Sequence, residues 1–175
     1  MNTDEDMRNV VDKYKHMPHD DIVADLDTRS HGLEIAIENL DRDYNMGTVI
    51  RNANAFGVRT VHIIGRRQWN KRGAMMTDKY LHVLYYESAA SFLTAHAGTP
   101  IIAIDNVSGS VPMKSAALPD RCIMVFGSEK SGISDELLAG AVQIVAIEQL
   151  GSTRSVNVGV AAGIAMYAWL DQHVL

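Results

Sequence analysis

Residues 121–134 read Arg-Cys-Ile-Met-Val-Phe-Gly-Ser-Glu-Lys-Ser-Gly-Ile-Ser. A short apolar run ends at a polar loop framed by Gly127 and Gly132, and Ser134 then opens a helix-like segment over 134–139. Similar runs recur at 33–40, 60–64, 83–86, 101–105 and 143–147, with further helix-like segments at 46–56, 88–97 and 156–171. Strands alternating with helices predict an α/β fold, a mostly parallel sheet covered by helices on both faces. Ligands of such sheets sit beyond the carboxyl ends of the strands, so chemistry is expected in the loops after residues 40, 64, 105, 126 and 147.

Outward from that stretch, the composition fits a folded chain: 175 residues, 47% hydrophobic and 21% charged, which excludes disorder over most of the length. One cysteine, Cys122, excludes a disulfide scaffold and points to a reducing compartment. The opening residues are polar and acidic rather than a secretory leader, so a cytoplasmic protein is expected. No window of about 18 apolar residues suggests a membrane span. Residues 1–31 carry eight acids against four bases and are read as an acidic extension, helical in part, ahead of one domain at 32–175. Met7, Val10, Val11 and Tyr14 fall at helical spacing, which predicts a short helix there before a breaker-rich stretch at 16–30. Against a net charge of −5 stands one basic island, Arg66, Arg67, Lys71, Arg72 and Lys79, with Trp69 inside it. It is either a solvated loop or a surface for an anion, and its aromatic suits phosphate contact combined with base stacking.

Three loops carry chemistry. In the first, Asn45 is placed to cap the helix at 46–56, Gly47 permits a close approach at its first turn, and Arg51 can reach past the helix start toward an anion. A plain ion pair between Arg51 and a surface acid fits the spacing as well. The second loop, Gly127 to Gly132 around Glu129, has neither the Walker order nor G-x-G-x-x-G, so a standard phosphate cradle is disfavoured. Glu129 there suits a ligand contact or a bond to a nearby backbone amide. The third runs from Ile147 through Leu150, Ser155, Val156 and Asn157 into a helix where Gly159 and Gly163 leave room for a close neighbour. Its turn could hold a nucleoside, or the glycines could do no more than seat the helix. The seven histidines lack zinc-ligand spacing, so no metal is expected; His62 and His96 read as packing or surface residues.

Taken together and in order, these loops resemble the SpoU/TrmH branch of the SPOUT RNA methyltransferases. The first motif is similar to Asn45, Gly47, Arg51 and Ala55-Phe56-Gly57, the second to Phe126-Gly127-Ser128-Glu129-Lys130-Ser131-Gly132-Ile133, and the third to Ile147 followed by Ser155-Val156-Asn157-Val158. Val156 stands in place of the usual Leu, and Arg42-Asp43 where many members have a Pro. The resemblance implies an α/β fold closed by a C-terminal trefoil knot, a feature no periodicity reveals. It implies transfer of a methyl group from S-adenosylmethionine to a ribose 2′-hydroxyl of tRNA or rRNA, with an RNA-binding module that has lost methyl transfer as the rival reading. Arg51, Asn45, Glu129, Ser155 and Asn157 become the expected catalytic group. Ile104, Asp105, Gly127, Ile147, Leu150 and Val156 are expected around the cofactor, mainly through backbone groups, and Arg66, Arg67, Trp69, Lys71 and Arg72 against RNA. A homodimer through the last helix, with Gly159, Gly163 and Tyr167 at the contact, is implied too.

Overall fold

Short apolar strands need cover on both faces, and the computed structural model, which describes residues 6–39, 45–128 and 130–175, shows how it is supplied. Among the described residues seven strands form one sheet: β1 (Leu33–Asn39), β2 (Thr60–Gly65), β3 (His82–Tyr86), β4 (Ile101–Ile104), β5 (Val111–Pro112), β6 (Cys122–Phe126) and β7 (Gln143–Ala146). They lie in the order β3-β2-β1-β6-β4-β7-β5, and each pairing is parallel. Five α-helices accompany them: α1 (His19–Asp27), α2 (Met46–Ala55), α3 (Ala89–Ala95), α4 (Asp135–Gly140) and α5 (Val158–His173).

The period of two along each strand divides the core. Leu33, Ile35 and Ile37 of β1 join Cys122, Met124 and Phe126 of β6 on the face covered by α2 and α5. Ala36, Ile123 and Val125 point the other way, toward Phe92 of α3 and Leu137 of α4. With both faces closed, β4 and β6 are buried along their whole length, which is why they read as unbroken apolar runs. The seventh strand, β5, was not legible as one: it is two residues long and carries Pro112, tolerated because the strand is at the sheet edge.

Helix ends follow their caps. Ser88 and Ser91 form a reciprocal capping box on α3, and Ser134 accepts from the Leu137 amide on α4 with Asp135 and Glu136 in the first turn. The last helix starts at Val158, two residues later than expected, because Asn157 is its cap and accepts from the amides of Gly159 and Val160. The expected helix over Met7–Tyr14 is absent. A single 3₁₀ turn, Asp12–Tyr14, stands there, with Met7 85% and Val11 63% exposed. Arg8 folds back to donate to the Met17 carbonyl at 2.9 Å, and Lys15 donates to the Asp6 carbonyl at 2.7 Å, which closes the segment as a loop. The helix is instead α1, inside the stretch read as breaker-rich; Pro18 precedes it at the cap, where its missing N–H costs nothing, and Ile22 is buried. Asp27 at its end accepts from Arg59 Nε at 2.8 Å and His82 Nε2 at 2.9 Å, which fastens the N-terminal segment beneath β2 and β3.

The C-terminal segment lies against the loop between β4 and β6. Trp169 donates to the Pro119 carbonyl at 2.8 Å, Gln172 bonds the backbone of Ala116 and Leu118, and Asn106 reaches the Arg154 carbonyl. Gly159 and Gly163 seat α5 on α2: a Cβ at either would meet Thr48 or Asn52 of α2, and Asn52 Nδ2 donates to the Gly159 carbonyl at 2.8 Å.

Candidate active site

Beyond the carboxyl ends of β4, β6 and β7, the loops at 105–107, 127–135 and 147–157 surround a cavity of about 760 Å³. The size suits a nucleoside-sized ligand. Its floor is apolar, from Ile104, Phe126, Ile147 and Val158, and its walls are polar, with Lys130 and Arg154 set among Asp105, Asp135 and Gln149.

Close backbone approach shapes the second loop. A Cβ on Gly127 would lie 2.1 Å from the Gly132 carbonyl carbon, so no other residue fits. Ser128 and Gly132 exchange backbone hydrogen bonds of 3.1 and 2.9 Å, and Gly132 holds φ +69°, a left-handed conformation that a side chain resists. Asp105 locks this hairpin to the loop after β4: one carboxylate oxygen accepts from the Ile133 amide at 3.0 Å, the other from the Asn106 amide at 2.7 Å. Glu38, 3% exposed at the end of β1, does the same for the following helix by accepting from the Ser134 amide at 2.7 Å.

Five of the six residues expected around a cofactor, Ile104, Asp105, Gly127, Ile147 and Val156, line this cavity, as do Ser155 and Asn157. Leu150 does not; its side chain stands in solvent. Asn45 comes to the mouth through a contact spanning 112 residues, its Oδ1 accepting from Asn157 Nδ2 at 3.0 Å. This corrects one local expectation, since the Asn45 side chain makes no capping bond to α2. Arg51 is exposed on α2, outside the cavity lining, and it takes part in none of the ion pairs among the described residues. Glu129 and Arg42-Asp43 lie outside the described residues. Sequence reasoning passed over Glu38, Asn106 and Gln149; each is a polar residue at or near a strand end, but its partner is distant in sequence, so only Asn106 and Gln149 had a local signal by standing in loops already singled out.

The basic island occupies the loop after β2, and Asn39 pins it there by donating to the carbonyls of Arg66 at 2.6 Å and Gln68 at 3.2 Å. Arg66, Arg67 and Arg72 are exposed. Lys71 pairs with Asp78 at 2.7 Å and lies over the Trp69 ring, whose other contacts are with the core below α2. Arg67 lies over the ring of Tyr85, 5.2 Å from its centroid. No three His, Cys, Asp or Glu side chains gather as a metal site among the described residues, and no helix there is long and apolar enough to cross a membrane.

Comparison with known proteins agrees with this architecture. Residues 32–167 match the model of the SpoU rRNA Methylase family. The tRNA (guanosine(18)-2′-O)-methyltransferase of Borreliella burgdorferi is 25% identical over 150 residues, 83% of this chain and 69% of that protein. The Escherichia coli protein of the same name is 27% identical over 145 residues, so this chain spans 79% of itself but 63% of that relative's length. A solved structure described as giving insights into the 2-OH methylation of C/U34 on tRNA superposes with a TM-score of 0.72 at 26% identity, covering 81% of this chain and 96% of the other.

Proposed function

This chain belongs to the SpoU rRNA methylase family, and from that premise we propose that it transfers a methyl group from S-adenosylmethionine to a ribose 2′-hydroxyl of tRNA or rRNA. The observation that carries the reading is the convergence of the loops at 105–107, 127–135 and 147–157 on one cavity, with Asn157 of its lining bonded to Asn45 of the first motif. The cavity suits the cofactor: Ile104, Phe126, Ile147 and Val156 offer an apolar bed, and Gln149 Oε1, buried without a hydrogen-bond partner, is an acceptor awaiting a donor. When bound there, S-adenosylmethionine supplies an electrophilic methyl on a cationic sulfur. The chain's own contribution is to hold a ribose oxygen in line with that methyl, and such orientation is worth up to about 7–11 kcal/mol in well-positioned systems.

Arg51, always cationic, grips the phosphate next to the acceptor ribose and stabilises the charge that grows on its 2′-oxygen. Asn45 and Asn157, each holding the other, orient the nucleotide, with Ser155 beside them and Glu129 from the adjoining loop. Arg66, Arg67, Lys71 and Arg72 form the RNA-facing rim, with the exposed arginines making the phosphate contacts, while Trp69, expected to stack on a base, packs on the core beneath Lys71. Residues 32–175 are the methyltransferase domain and residues 1–31 an acidic extension to it. The contacts of α5 with the loop between β4 and β6 support a C-terminal knot. Two copies pair through α5, where Val160, Ile164 and Tyr167 form an apolar stripe 51%, 41% and 53% exposed. A chain directed at tRNA or rRNA in this way works in the cytoplasm.

Arg51→Ala tests the assignment. Tritium transfer from labelled S-adenosylmethionine to unmodified tRNA and rRNA transcripts falls on the order of 10²-fold or more, while calorimetric cofactor affinity stays unchanged. A fully active Arg51→Ala protein removes Arg51 from the chemistry, and a wild-type protein that binds both ligands but transfers nothing removes the enzyme.

A further inference from the structure

The basic loop between β2 and β3 contains two features that phosphate binding does not use. Met75 and Met76 are consecutive residues with φ of +49° and +65°, the left-handed region that side chains resist. Both are exposed, 54% and 61%, between Ala74 and Thr77, which are buried. The pair is held outward from both ends: Thr77 Oγ1 donates to the Ala74 carbonyl at 2.7 Å, and Gly47 at the start of α2 sits so close to this loop that a Cβ there would lie 2.6 Å from the Ala74 amide. Arg51 follows Gly47 by one helical turn and so shares the face of α2 that meets the loop. A strained, rigidly footed, apolar protrusion therefore stands against the start of α2, the helix that carries Arg51 one turn further on, with Arg72 and Lys79 flanking it in sequence.

We propose that Met75 and Met76 enter the RNA next to the acceptor nucleotide, occupying the place of a neighbouring base and keeping the target ribose turned out toward the cavity. This rests on the RNA methyltransferase reading above. Two flexible, polarisable thioethers match the faces of unstacked bases, and the surrounding cations, in a chain of net charge −5, match the phosphates on either side. Apolar side chains inserted at a base step are an established means of opening a stacked strand.

The test is the double substitution Met75→Gly with Met76→Gly. Glycine accepts the left-handed backbone at no cost, so the fold is kept while the side chains are removed. On unmodified tRNA and rRNA transcripts kcat/KM falls by about tenfold or more, the scale of losing one base-stacking contact. Cofactor affinity and the salt dependence of RNA binding stay unchanged, because no phosphate contact is lost, and the thermal midpoint does not fall, because glycine relieves the left-handed strain. Replacing Arg66, Arg67 and Arg72 by Gln gives the opposite pattern, a shallower salt slope. Met75→Leu with Met76→Leu, equally strained and equally apolar, retains most of the activity. Wild-type kcat/KM in the double-glycine protein overturns the proposal and leaves the enzyme reading intact. A switch from dimer to monomer in light scattering also overturns it, assigning the pair to an interface between copies. Absence of transfer by the unaltered protein brings down the enzyme reading, and the proposal with it.

Discussion

A single atom decides whether the second loop closes. At Gly127 the far end of the same loop passes so near that even a methyl group forces Gly132 to move, and Asp105 holds Gly132 from the other side through the Ile133 amide. Gly127→Ala is therefore expected to cost about 1–3 kcal/mol in urea unfolding, the range for overpacking, and to weaken S-adenosylmethionine binding measured by titration calorimetry. Unchanged affinity would show that the hairpin does not shape the cofactor's bed. Asn157 illustrates a second economy at this scale. Its oxygen caps α5 and its nitrogen holds Asn45, so one amide sets both the helix start and the mouth of the cavity. Cys122 has no such part: burial raises its thiol to about 12, leaving it protonated and inert.

Among the elements, α5 is used on three sides. Ala162, Ala165, Met166 and Trp169 face the sheet, Gly159 and Gly163 fit against Thr48 and Asn52 of α2, and Val160, Ile164 and Tyr167 remain exposed at i, i+4 and i+7. The glycines expected at a dimer contact thus meet α2 of their own chain, and the proposed pairing uses the exposed stripe beside them. Ile164→Glu places a charge on that stripe twice in a symmetric pair, at a cost of several kcal/mol once water is excluded. Light scattering should then report a monomer with an unchanged circular dichroism spectrum. A variant that remains dimeric would place the interface elsewhere.

Across the whole molecule, a half-buried polar chain links three strands to the end of α3: Glu34 bonds His62 at 2.7 Å, and the Tyr86 hydroxyl lies between His62 and His96 at 3.3 and 3.0 Å. Burial and the neighbouring His62 push His96 below its ordinary value of 6.5, and the His62 bond pulls Glu34 below 4.5. Both folded values are depressed, so both contributions are complete above those ordinary values and are lost as the pH falls through the folded ones. His19, raised by Asp20, has the opposite sign, so the comparison of wild type with His96→Gln isolates the histidine. Thermal midpoints of the wild type should decline on acidification below about pH 6.5, and those of His96→Gln should decline only at lower pH, where carboxylates titrate. Parallel curves would show that His96 carries none of the acid sensitivity. Six of the seven strands, most helix positions and the three motif loops were legible along the chain, because burial leaves a period of two or 3.6 and close turns demand glycine, serine or asparagine locally. The sequence by itself therefore determined most of the elements and the loops that line the cavity. Only the tertiary structure decided that β6 inserts between β1 and β4, that α1 forms within the acidic segment, that Trp69 turns to the core, and that Asn45 meets Asn157. Those outcomes depend on which distant surfaces bury one another, a free energy shared among many residues that leaves no local pattern in any one segment.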